Sequence, residues 1–245
     1  MAIIVFEYDP DFSSGRLGRT LRNFGHRLRV CTLHEGDEPP VDLDDVDGVI
    51  VCGGRPDASG SAFEAMRDFV KSAHTADCPV VGLGDGAAIL TEALGGSVQD
   101  SADGPVIGWS NSVMTDPCRT EIIHAGRAWT TRQFTWQYRT IDQLPPKAVK
   151  LTTDDAGRTT TWSLGVRTYA FAFQPELDAA SLRMLIEHRA ADLALTGVQK
   201  DEILKESDSH LADAMRINER LFEAIALLLM PLDRRHAGIA KGLHH

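Results

Sequence analysis

The side chains of this chain that could do covalent or proton-transfer chemistry sit beside turns. The stretch from Pro79 to Leu90 is the pivot: an apolar run, Val80 to Leu83, ends in Gly84-Asp85-Gly86 and passes at once into Ala87-Ala88-Ile89-Leu90. That pattern predicts a buried strand, a tight turn and a helix. Gly84 and Gly86 permit a turn that bulkier residues would strain. A turn at the carboxyl end of a strand is where an α/β sheet binds ligands. A sharp strand-to-helix turn also exposes one side chain beside helix N–H groups, the geometry of a nucleophile elbow. Here no Ser or Cys occupies the turn, so the site has the shape of a nucleophile site without the nucleophile.

Two neighbours could replace the missing group. Asp85 could attack as aspartate does in some hydrolases, or it could cap the helix, whose dipole favours a carboxylate there. Cys52, just before Gly53-Gly54, could be a relocated nucleophile or a small apolar core residue. Cys31, Cys78 and Cys118 are widely spaced with no CxxC pair. All four read as reduced, buried thiols of a cytoplasmic protein. His124, His188, His210 and His236 lack metal-ligand spacing, and His26 and His34 flank a strand, so no metal site is expected. The glycines at 53–54 and 82–86 fit neither GxGxxG nor GxxxxGK, which disfavours a nucleotide-phosphate site. The aromatic residues Trp129, Phe134, Trp136 and Tyr138 could line a pocket or fill space between a small sheet and the main body.

The elements that must position these residues follow from apolar patterning. Ala2 to Glu7, Arg27 to Leu33 and Asp47 to Cys52 read as strands. Ser13 to Phe24, with a Ser cap candidate, and Ser61 to Ala73 read as helices with one apolar face. The alternation implies a parallel sheet covered on both faces. After Gly96 the texture changes. Val106 to Met114, Arg119 to Ile123, Ala128 to Trp136, Val149 to Thr152, Thr159 to Val166 and Thr168 to Phe173 read as short strands in antiparallel hairpins. Helices are expected at Ala179 to Leu195 and Lys200 to Leu229, the second docking on its own domain or on a second copy. The 245 residues carry a net charge of −10, which argues against nucleic-acid partners. No apolar run reaches membrane-spanning length, and the start reads as a first strand, not a signal. The final Leu243-His244-His245 is either a native tail or a tag remnant and carries no assigned role.

The order of these pieces resembles class I glutamine amidotransferases, in particular stand-alone GMP-synthase-like members, from about Asp47 to Met230. The run Asp47 to Pro56 looks like the family's strand and glycine pair that help form the oxyanion hole. Pro79 to Ala88, followed by Leu90 and Ala93-Leu94-Gly95-Gly96, looks like its nucleophile elbow and helix. Trp136-Gln137, then Leu144-Pro145-Pro146 and Ala148, resembles the family's Trp-His and Leu-Pro-Pro-Gly-Ala. Phe173-Gln174-Pro175-Glu176 resembles its Phe-His-Pro-Glu.

The resemblance implies a flavodoxin-like doubly wound, mostly parallel sheet with an added small antiparallel sheet and C-terminal helices. It places the amidotransferase-like domain at 1–198 and a helical extension packed on it at 199–245. It also implies a Cys that attacks the glutamine amide, a His that shuttles the proton, and a Glu that orients the His. Laid on this sequence, the nucleophile position is Gly84, the base position is Gln174, and only the acid, Glu176, remains. Glycine forms no thioester, and a glutamine amide has no titratable proton near neutral pH. The expectation is therefore a protein without glutaminase activity. Its remnant pocket, formed by Gly53, Gly54, Asp85, Gly86 and Gln137, would bind glutamine, a related small molecule or a partner. No cofactor is implied. An acceptor synthetase would have to be a separate protein chain. Two alternatives stay open: an active amidohydrolase using Asp85 or Cys52, and a structural or regulatory subunit.

Overall fold

Apolar runs with both faces buried build the part of the sheet that carries the pivot. The computed structural model describes residues 1–55, 60–101 and 104–230; Pro56, His236 and the terminal Leu243-His244-His245 lie outside them. The first half of the chain gives β1 (Ala2–Glu7), α1 (Gly15–Asn23), β2 (Leu28–Thr32), β3 (Val46–Val51), α2 (Ser61–Thr75), β4 (Val80–Leu83) and α3 (Asp85–Ala93). The next strands are β5 (Ser97–Asp100), β6 (Val106–Met114), β7 (Thr130–Gln137), β8 (Arg139–Gln143), β9 (Val149–Thr153), β10 (Thr159–Leu164) and β11 (Thr168–Phe171). Helices α4 (Ala179–His188), α5 (Ala190–Thr196) and α6 (Lys200–Ala224) follow, the last running into a π-helical turn at Ile225–Leu229.

Nine strands form one sheet in the order β2-β1-β3-β4-β11-β10-β9-β6-β7. The strands from β2 to β11 are parallel, a flavodoxin-like doubly wound arrangement, and those beyond β11 are antiparallel. A separate antiparallel ribbon pairs β5 with β8. Successive residues of β1 point to opposite faces. Ile3 and Val5 pack with Leu17 and Leu21 of α1 and with Leu221 and Phe222 of α6. Ile4 and Phe6 pack with Met66, Phe69 and Val70 of α2 and with Ile89 and Leu90 of α3. Burying each such large side chain contributes roughly 1.5–3 kcal/mol. A third cluster joins Trp109, Phe134 and Trp136 to Leu182 and Leu185 of α4 and Ile203 of α6. Phe134 and Trp136 thus fill space between the antiparallel strands and the C-terminal helices. Trp129 is half exposed, with the Arg119 guanidinium 5.6 Å over its ring.

Several local expectations differ from the structure. Arg119 to Ile123 is not a strand but lies in two 3₁₀ turns, Asp116–Thr120 and Ile122–His124. Pro117 has no N–H to give a ladder, and a tight turn tolerates it early. The expected single helix from Ala179 breaks at Arg189 into α4 and α5. Ser14 stands at the N-cap of α1 but makes no side-chain cap. The N–H of Arg16 is instead satisfied by the Glu176 carbonyl at 3.1 Å, which docks α1 on the segment carrying Glu176. Among the described residues no helix is long and apolar enough to cross a membrane.

Candidate functional site

The turn after β4 adopts the backbone that its glycines allow. Gly84 has φ 56° and ψ −126°, a conformation that costs a residue with a side chain on the order of 1–3 kcal/mol. Its N–H donates to the carbonyls of Phe171 (2.8 Å) and Phe173 (3.1 Å), which ties the turn to the end of β11. Gly86 lets the first turn of α3 approach β3: a Cβ there would come closer than 3.0 Å to the Val51 carbonyl oxygen. A Cβ on Gly53 would stand 3.2 Å from the Asp85 nitrogen, so the end of β3 lies against the turn. Gly54 packs against Asp9, and its carbonyl accepts from the Tyr8 hydroxyl at 3.2 Å. Gly53, Gly84, Asp85 and Gly86 are therefore neighbours, with Gly54 on the Asp9 side of them.

Gln174 is buried beside this turn. Its Oε1 accepts from the Trp136 N–H (2.6 Å) and its Nε2 donates to the Trp136 carbonyl (2.7 Å). Both ends of the amide are thus committed to one residue of β7. A Cβ placed on Gly84 would fall closer than 3.0 Å to Gln174 Nε2. The amide stands where a side chain on residue 84 would have to go.

Glu176 is buried, and its Oε2 has no hydrogen-bond partner among the described residues. It makes no hydrogen bond to Gln174, whose amide bonds Trp136. Burial pushes the Glu176 carboxyl up to about 8, against the smaller pull of its own backbone N–H. At neutral pH it therefore keeps its proton, and it orients no imidazole.

The two replacement nucleophiles are both engaged or enclosed. Asp85 is fully buried. It accepts from the N–H of Tyr138 at 3.1 Å on both oxygens and from the N–H of Arg139 at 3.0 Å. Burial raises it to about 7, opposed by those two bonds and the Arg139 charge. Arg139 in turn pairs with Glu92 at 2.6 Å. Cys52 is fully buried in the core beneath the sheet. Burial, with Glu7 and Glu176 nearby, pushes its thiol well above the ordinary range, the reverse of what a thiolate nucleophile needs. Gln137 is also buried, its Nε2 unpartnered among the described residues. Its side chain lines a cavity of about 200 Å³ whose walls do not include Gly84 or Asp85.

Two features escape the sequence. The donors that hold Asp85 are backbone groups, which no residue type marks. The carboxylates of Asp9 and Asp11, just past β1, grip Arg189 between α4 and α5: Nη2 pairs with Asp9, and Nε donates to Asp11 at 2.6 Å. The doublet Asp9-Pro10-Asp11 hints at a built loop, but nothing local points to an arginine so far along the chain. His124 is buried and held neutral, pushed down to about 3 by burial and Arg127, and His188 bonds Asp11 at 2.7 Å. Among the described residues no group of three or more His, Cys, Asp or Glu is placed to hold a metal ion.

No protein-family model matches the chain, and no curated protein sequence matches it. Solved structures do. A glutamine amidotransferase from Methylobacillus flagellatus is 21% identical, with 91% of this chain and 92% of that one covered and a TM-score of 0.80. A glutamine amidotransferase from Thermotoga maritima is 17% identical over 93% and 98% of the two chains, with a TM-score of 0.79. A candidate GMP synthase subunit from Thermoplasma acidophilum is 19% identical over 78% and 96%, with a TM-score of 0.56. Nearly end to end, this chain has the fold of glutamine amidotransferases of known structure.

Proposed function

We propose that the protein is a glutamine amidotransferase-like scaffold without glutaminase activity, which binds a small molecule or a protein partner at the remnant of the site. One observation carries this reading: Gln174 fills the space that a nucleophile on residue 84 would need, so the two positions are matched to each other in a form that does no acyl transfer. An enzyme of this kind that loses nucleophile and base together keeps only oxyanion stabilisation and binding, a small part of its rate. The engagement of Asp85 and the raised thiol of Cys52 support the silent reading over an unconventional nucleophile. The likeness to a candidate GMP synthase subunit supports one partner class, a separate acceptor synthetase, alongside a second copy of this chain. Four buried cysteines, none of them in a disulfide, support a reducing, cytoplasmic setting.

The test is a glutaminase assay of the unmodified protein beside Gly84→Cys, Gln174→His and the double variant. No ammonia release from the unmodified protein, with release from the double variant, is the expected result. Glutamine hydrolysis by the unmodified protein, abolished in Asp85→Ala or Cys52→Ser, would overturn the reading.

A further inference from the structure

A second cavity, of about 440 Å³, opens where the strand order reverses. Its walls include Tyr8 and Asp9 just past β1, His34 just past β2, Ala62 and Phe63 of α2, and Arg189. In the order β2-β1-β3 the chain steps outward on both sides of β1, and the crevice outside the carboxyl ends at such a switch point is where doubly wound sheets bind ligands. The volume lies in the range of small-molecule sites.

The charges in this crevice are prearranged. Asp9 is saturated: Oδ1 accepts from the N–H of Asp11 (3.0 Å) and from Arg189, and Oδ2 from the N–H of Arg55 (2.9 Å). Arg189 is fixed on three sides, by Asp9, by Asp11, and by the Phe12 ring 5.9 Å from the guanidinium carbon. Its Nη1 makes no hydrogen bond to the described residues, and Arg189 is one of the residues that line the cavity. A guanidinium locked by its own acidic partners, with one edge left over, is preorganised for an oxyanion. Tyr8 and Phe63 meet edge to face at 5.7 Å and offer an apolar wall.

We propose that this cavity binds a small organic anion, a carboxylate or phosphate monoester with a flat apolar body, its head on Arg189 Nη1 and its body against Tyr8 and Phe63. The Gly53-Gly54 segment stands between this crevice and Gly84, and the proposal does not depend on whether the elbow is silent.

Isothermal titration calorimetry of the whole chain with benzoate, phenyl phosphate, benzamide and inorganic phosphate tests it. Benzoate or phenyl phosphate should bind roughly tenfold or more tighter than neutral benzamide, the margin of one charge-assisted bond. Which of the two binds better decides between carboxylate and phosphate. Arg189→Met should abolish that preference. Ala62→Trp should fill the cavity and abolish binding without touching the ion pairs, and it decides the matter if Arg189→Met does not fold. Equal affinity for benzoate and benzamide, inorganic phosphate binding as tightly as phenyl phosphate, or full binding by Ala62→Trp would each overturn the proposal.

Discussion

The Gln174 side-chain amide and the bare Cα of Gly84 are complementary: Nε2 stands closer than 3.0 Å to where a Cβ on residue 84 would lie, and it holds that place by donating to the Trp136 carbonyl. Adding even a methyl at 84 must therefore displace an amide that is bonded at both ends. Gly84→Ala should cost roughly 2–4 kcal/mol, from backbone strain and overpacking together. Gln174→Ala should also destabilise, because it leaves the buried Trp136 N–H and carbonyl unpaired, at about 1–3 kcal/mol each. The double variant should be more stable than the sum of the two losses by about 0.5–3 kcal/mol, since the clash is counted only once. Denaturant melts of the four proteins give the cycle, and strict additivity would show that the amide is not what fills the turn.

Asp85 should act as a structural bracket between α3 and the start of β8. Removing its carboxylate in Asp85→Ala leaves the N–H groups of Tyr138 and Arg139 without their acceptor. The expected loss is about 2–4 kcal/mol, with faster hydrogen exchange at the amides of 138 and 139. Asp85→Asn keeps one acceptor oxygen and should fall between. Unchanged exchange at those two amides in the alanine variant would remove the bracket role.

How much of the fold and site is legible in the sequence follows from where each signal resides. The runs in β1, β3 and β4 declare themselves because both faces are buried, and the elbow declares itself through Gly84 and Gly86. Asp85 is readable as a turn residue, yet its acceptor role is not, since its donors are main-chain groups at the start of β8, more than fifty residues on. The ribbon of β5 and β8 escapes the pattern because Ser97–Asp100 and Arg139–Gln143 are short and mostly polar, and only their mutual pairing makes them strands. Arg119 to Ile123 resembles a strand through its two isoleucines, and Pro117 two residues earlier outweighs them. The break at Arg189 is invisible because arginine is a good helix former. At the break its side chain is held by Asp9 and Asp11, carboxylates from the far end of the chain that no local pattern announces.

Glu176 should give the protein an unusual pH profile. Its carboxyl is raised from 4.5 to about 8 by burial. The folded state thus holds a proton that the unfolded chain releases near 4.5. The stability tied to it is fully present below about 4.5 and is lost as pH rises towards 8, at no more than about 1.4 kcal/mol per pH unit. Glu176→Gln keeps the shape and removes the titration, so its stability should fall less across that window and its advantage should grow with pH. Denaturant melts at about pH 5, 6.5 and 8, spanning the window between the two pKa values, measure this. Parallel profiles for the two proteins would place the Glu176 proton elsewhere.

The last helix should prove part of the core and not an appendage. Phe222 is fully buried against the face formed by Ile3, Val5, Leu17 and Leu21. The Arg16 guanidinium lies 5.5 Å over its ring and bonds the Met215 carbonyl (2.8 Å) and Glu219 (2.6 Å). Phe222→Ala should therefore cost about 3–5 kcal/mol, as expected for a large aromatic removed from a close-packed interior. The neighbouring Glu223 is exposed, and Glu223→Ala should stay within about 0.5 kcal/mol. A single cooperative transition, shifted only by the first substitution, is the expected denaturation result. If α6 instead melted as a separate early step, with Phe222→Ala moving that step alone, the helix would be docked on a core that is complete without it.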